Sequence, residues 1–153
     1  MGYWEIPAAF ERLRNENKAF QRDLKAARAR LLEYEAEALW QSARETDPNA
    51  KWVIVMAVWE DREVADLQGA VAALVQKPGT IAILALPGEK AQLIMGCSED
   101  TGFDVVPLLK ESLAKLGQSR GGGRPTLAQG GGFSATREEL EAVLAKAKRV
   151  ISN

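Results

Sequence analysis

Two glycine triplets, Gly121–Gly123 and Gly130–Gly132, stand nine positions apart in the stretch "SRGGGRPTLAQGGG". Glycine runs bare the backbone N–H groups, and successive bared amides form a nest that binds anions. Arg120 and Arg124 bracket the first triplet with planar, permanently charged donors that suit phosphate. Lys110 and Lys115 stand shortly upstream on a helical stretch and extend the basic patch. The same spacing also fits tight turns with incidental arginines, because glycine supplies φ > 0 and close backbone approach. A P-loop needs Gly-Lys-Ser/Thr after the glycines, and a dinucleotide fingerprint needs a strand leading into them. Neither is matched.

Other chemistry is scarce. There is no histidine and a single cysteine, Cys97. Ser-His and Cys-His nucleophile pairs, histidine bases, and histidine or thiolate metal sites are therefore excluded. Carboxylate-only magnesium chemistry survives in principle, but the acidic residues mostly share helix faces with basic neighbours, the pattern of a solvated surface. The expectation is a chain that catalyses nothing, with no metal and no cofactor. Cys97 closes an apolar run and is expected as a small core residue. With no partner for a disulfide within the chain, it fits a reducing cytoplasm.

The 153 residues are enough for one domain or at most two, with a substantial core. At 46% hydrophobic and 27% charged, the composition is that of a soluble globular protein. The net charge of −1 means that any nucleic-acid site must be a local patch. No stretch is long and apolar enough for a membrane span, and "MGYWEIP" shows no signal peptide.

From Pro7 to about Glu45 there is no glycine and no internal proline, and helix formers dominate. Phe10, Leu13, Asn17, Phe20, Leu24, Ala27, Leu31, Tyr34 and Ala38 alternate in steps of three and four. That is a heptad seam, with charges of mixed sign beside it at Glu16, Asp23, Arg28, Arg30 and Glu35. At ~1.5 Å per residue the helix is roughly 58 Å long, more than one small domain covers. Homodimerisation along the seam is the expectation; packing on its own domain is the alternative. Asn17 either fixes register within the seam or lies at an exposed part of the helix. A second stripe, Leu32, Ala36, Leu39, Trp40 and Ala43, suggests that the C-terminal half of the helix meets two neighbours.

"DPN" at Asp47–Asn49 ends the helix, which divides the chain into a helical arm, 1–46, and a globular domain, 50–153. "KWVIVMAVW" is apolar on both faces and is expected as a central strand. Val64, Leu67, Val71, Leu74 and Val75 mark a helix that stops at Pro78-Gly79. "TIAILAL" and "AQLIMGC" are strands joined by "PGEK" as a hairpin loop. A helix runs from about Asp104 to Leu116, with Gly117 at its C-terminal turn. Thr136 and Glu139 form a capping box for a last helix, striped by Leu140, Val143, Leu144, Ala147 and Ile151. Thr126, Leu127 and Ala128 allow one short strand, with the triplets as bends at its two ends. The fold class is α/β: a long coiled-coil-like helix, then a small sandwich of order βαββα, glycine-rich segment, α.

"GGGRPTLAQGGG" resembles the signature of the DHH-associated domain at the C-terminus of alanyl-tRNA synthetases and long-form alanyl-tRNA editing proteins. The resemblance covers nearly the whole chain, since that family also has a long helix leading into an α/β domain. It implies a domain that contacts the outer corner of tRNA, alanine tRNA by the same token, and dimerises through its helical part. Gly121, Gly122, Gly123, Arg124, Pro125 and Gln129 fall on the signature positions, whereas Arg120, Lys110 and Lys115 rest on charge alone. The family often has an acidic residue and methionine after the proline, where Thr126 and Leu127 stand here. Neither the zinc-bearing editing module nor the aminoacylation core is in this sequence. The expectation is therefore either a piece whose native chain continues N-terminally into such domains or a stand-alone remnant.

Two other functions compete. One is a coiled-coil assembly module without nucleic acid, which the near-neutral charge favours. The other is the substrate-binding part of a DHH-type phosphodiesterase; those proteins usually carry histidine after the triplet, where Arg124 stands here.

Overall fold

The computed structural model describes residues 5–152, with side chains from Ala8 onward. The outermost residues of the expected arm and domain lie outside the described residues. The arm is one helix, α1, Glu5–Thr46. It ends in a turn in which the Asp47 N–H bonds the Ala43 carbonyl and the Ala50 N–H bonds that of Asp47. The globular part follows in the order β1 Val53–Val58, α2 Val64–Leu74, β2 Thr80–Leu86, β3 Gly88–Cys97, a 3₁₀ turn Glu99–Thr101, α3 Val105–Lys115, β4 Gly122–Arg124, β5 Leu127–Ala135 and α4 Arg137–Ser152. The strands form one mixed sheet of order β1-β2-β3-β5-β4, with only β1 and β2 parallel.

Helices cover both faces of the sheet. Ala82, Leu84 and Ile94 meet α1 and α2 through Ala36, Leu67, Val71 and Leu74. Ile81, Ile83, Leu93 and Met95 meet α3 and α4 through Leu109, Leu113, Leu140 and Leu144. Alternation along β2 sends successive side chains into two different cores, so nearly the whole strand is buried.

β1 is not central, as its sequence suggested; it is an edge strand paired to β2 alone. Apolar residues on both faces report cover above and below, here α1 and α4, and carry no information on lateral neighbours. β3 also begins earlier than expected, at Gly88 rather than after "PGEK". Its first residues run past β2 and pair with the far end of β5, with register shifts on either side of Ala91.

Local signals set the helix ends. The Asp104 carboxylate accepts the Val106 N–H and caps α3. At the other end Gly117 has φ 76, and the Gln118 N–H returns to the Leu113 carbonyl at 2.8 Å. That is a Schellman stop. The Thr136–Glu139 capping box of α4 is present, with the Glu139 N–H on the Thr136 hydroxyl and the Thr136 N–H on the Glu139 carboxylate.

The second stripe of α1 docks the arm. Ala36 is fully buried, and Leu39, Trp40 and Ala43 pack on α2 and β1. Trp40 Nε1 donates to Thr80 Oγ1 at 2.9 Å, while Arg44 and Lys77 lie over its ring. Ion pairs Glu35–Arg62, Glu37–Lys77 and Arg28–Asp66 flank the seat. Partly exposed pairs contribute little, so the apolar stripe and Trp40 hold the arm. No helix among the described residues is long and apolar enough to cross a membrane.

Candidate nucleic-acid interface

The glycine-rich segment is a β-hairpin, which corrects the expectation of one short strand between two bends. Residues of both triplets lie inside β4 and β5, and the turn is Pro125-Thr126 between the paired Arg124 and Leu127. The turn is tied down on two sides. The Val105 N–H bonds the Pro125 carbonyl, and the Cys97 N–H bonds the Thr126 carbonyl, both at 3.0 Å. The buried Cys97 thiol donates to the Phe103 carbonyl at 3.1 Å beneath the same turn. Burial pushes this thiol above its ordinary pKa, as suits a core residue and not a nucleophile.

Most of these glycines answer to the protein's own packing. A Cβ on Gly121 or Gly130 would lie 2.4 or 2.5 Å from Leu113 Cδ1, so α3 seats a leucine directly on the hairpin backbone. A Cβ on Gly123 would meet the Leu127 carbonyl oxygen at 2.3 Å, and one on Gly131 would overlap the Gln92 side chain. Gly122 differs: nothing lies within 4 Å of its Cβ position. Its backbone is open to whatever approaches from outside.

Paired residues of antiparallel strands share a face. Arg124 therefore shares one with Leu127, and Gly122 with Gln129, on the side that α2 covers. The Gln129 side chain accepts from Gln68 Nε2 of α2 at 2.9 Å. Arg124 is exposed and lines a cleft of about 650 Å³ with Ala72 of α2, Val75 and Gln76 of the turn after it, Ser98–Asp100, Thr126 and Leu127. The cleft is mixed in charge, but the Asp100 carboxylate is engaged by the Gly79 N–H at 2.9 Å. Among the described residues Arg124 has no carboxylate within ion-pair distance.

The expected basic patch does not assemble around this arginine. Lys110 and Lys115 are exposed on α3, which packs on the opposite face of the sheet, and Lys115 pairs with Glu111 at 3.6 Å. Arg120 and Pro125 are exposed at the two ends of the hairpin's first strand. The wall that α2 and the turn after it supply, with Gln68, Ala72 and Gln76, had no signature in the sequence beyond being the back of an apolar stripe. No group of three or more His, Cys, Asp or Glu among the described residues could hold a metal ion.

The seam is also on view. Phe10, Leu13, Phe20, Leu24, Leu31 and Tyr34 are each at least 55% exposed, and Asn17 and Ala27 are exposed among them. The second stripe is what packs on the domain, so none of the seam is consumed by it.

Comparison with known proteins places these features. The chain is 29% identical over 149 residues to the alanine–tRNA ligase of Nitratidesulfovibrio vulgaris, covering 96% of this chain and 16% of that protein. It is 35% identical over 133 residues to that of Geobacillus kaustophilus, covering 84% and 14%. The chain thus spans only a small part of the length of these relatives. The C-Ala domain of Aquifex aeolicus alanyl-tRNA synthetase superposes with a TM-score of 0.60 at 22% identity, over 68% of this chain and 95% of that one. At that identity the likeness shows a shared fold. The DHHA1 domain family matches residues 49–153, the whole globular part with its glycine hairpin, and the chain belongs to that family.

Proposed function

We propose that this chain is a non-catalytic accessory domain that binds tRNA, alanine tRNA by its relatives, and dimerises through α1. One observation carries the tRNA reading: a hairpin at the sheet edge presents the open Gly122 backbone and the exposed Arg124 together. Similarity to alanine–tRNA ligases and to the C-Ala fold supports the nucleic acid over other anions. A titration of tRNA against the chain over a salt series tests it. Binding that weakens steeply with salt is expected, and absence of binding at low salt overturns it. The second outcome would favour an assembly module without nucleic acid. The cytoplasm is the compartment that fits such a role.

The exposed seam supports the dimer. An isolated helix of this length has no other cover for its apolar row, and contiguous patches of that kind mark interaction surfaces. Sedimentation equilibrium at micromolar concentration should give a dimer or a larger assembly; a monomer sinks the reading. Asn17→Leu should stabilise the assembly or change its stoichiometry, because a buried amide at such a position costs stability. If it does neither, Asn17 is outside the seam.

Catalysis is not part of the proposal, since the sequence has no histidine and its one thiol is buried. Pure, metal-replete protein should leave Ala-tRNA, dinucleotides and cyclic dinucleotides intact. Steady release of alanine from Ala-tRNA would contradict this.

A further inference from the structure

We infer that the arm carries a second contact for the nucleic-acid backbone: a stripe of four cations, Arg14, Lys18, Arg22 and Lys25. The inference rests on the RNA-binding reading and extends it to a surface separate from the hairpin. All four side chains are exposed on α1, and none has an ion pair among the described residues. Arg28, one turn further, does: it reaches Asp66 at 3.2 Å.

Spacing gathers them on one flank. At about 100° per residue the four fall within roughly 80° of arc, with successive charges about 4.5–6 Å apart along the axis. Ala29 shares that arc and Gln21 lies at its edge, while Glu16 and Asp23 lie on the far side of the helix. Glu11 bounds the stripe at its N-terminal end. The segregation stands out in a chain whose net charge is −1.

The same flank continues as Leu32, Ala36, Leu39 and Ala43, which dock on the globular domain. The helix face changes from apolar to cationic where the domain's cover ends. Arg14 borders the seam in a groove that also holds Phe10, Leu13 and Lys18, whereas Arg22 and Lys25 lie well over 90° around the helix from most of it, so a dimer formed along the seam leaves that part of the stripe open.

The chemistry selects the partner. Evenly spaced cations on flexible stems track a row of phosphates without reading sequence. A protein partner would need an apolar or aromatic anchor to bury, and the arc holds none. The occupant is therefore a helical RNA backbone running along the arm.

The test uses the intact chain, tRNA, and a plain RNA duplex with no tRNA-like corner. Arg14→Gln/Lys18→Gln/Arg22→Gln/Lys25→Gln keeps good helix formers at exposed sites. It should weaken duplex binding on the order of 100-fold at 0.1 M salt and flatten the log K versus log salt line by about three units. Lys18→Gln/Arg22→Gln should give about half the change in slope, which keeps the test available if the fourfold variant loses helicity. Glu89→Gln/Glu138→Gln, exposed on the globular domain and in no ion pair among the described residues, should leave the slope unaltered. An unchanged slope in both stripe variants overturns the inference. So does a change in sedimentation without a change in RNA affinity, which would assign the stripe to contact between copies of the chain. The two readings separate cleanly. Loss of tRNA binding in Arg124→Ala but not in the stripe variants keeps the hairpin and removes the stripe. The reverse keeps the stripe and removes the hairpin.

Discussion

Gly123→Val should lower stability by more than about 3 kcal/mol, while its neighbour Gly122→Val should fold and melt like the parent. The contrast comes from what a Cβ would meet. At Gly123 it would lie 2.3 Å from the Leu127 carbonyl oxygen and 2.7 Å from the Ala128 Cα. Both are backbone atoms of β5, pinned between β3 and β4, so they have nowhere to go. Relief requires breaking the β4–β5 ladder, and with it the seat of Leu113 on Gly121 and Gly130. At Gly122 the same position is empty. For a chain of this size each kcal/mol moves Tm by about 2–4 °C, so Gly123→Val should melt on the order of 10 °C lower. Thermal melts at matched protein concentration decide it, since assembly couples Tm to concentration. Equal Tm values for the two variants would mean that the hairpin register is wrong.

That hairpin is also where the sequence was least legible. Glycine is depleted in strands, so two triplets read naturally as bends. What places them in strands is a tertiary fact: Leu113 of α3 needs bare backbone beneath it, and nothing local to residues 121–132 encodes Leu113. The same blindness gathered Lys110 and Lys115 with Arg124. They are near in sequence, but α3 crosses to the other face before β4 begins. By contrast the arm, its two stripes and the helix caps were legible, because periodicity and capping depend only on near neighbours. β1 lies between these cases, its burial readable and its place at the sheet edge not.

Arg124→Ala should weaken tRNA binding by roughly 1–3 kcal/mol, about 5- to 150-fold. The open Gly122 backbone lets amides come close to a phosphate, and the guanidinium beside it can then clamp that phosphate through two parallel hydrogen bonds. Each phosphate contact releases condensed counterions, so losing one should flatten the log K versus log salt line by about one contact. Arg124→Lys should recover only part of the loss, because a point charge lacks the planar fork. Gly122→Val tests the backbone half of the site without touching the charge. Its side chain would project into space that is empty in the protein, so any loss of affinity in a normally folded variant reports the excluded ligand. Lys115→Ala serves as the comparison: paired with Glu111 on the opposite face, it should change affinity far less than Arg124→Ala. If Arg124→Ala binds tRNA as tightly as the parent across the salt series, the glycines serve the hairpin alone, and the phosphate must be held elsewhere on the chain.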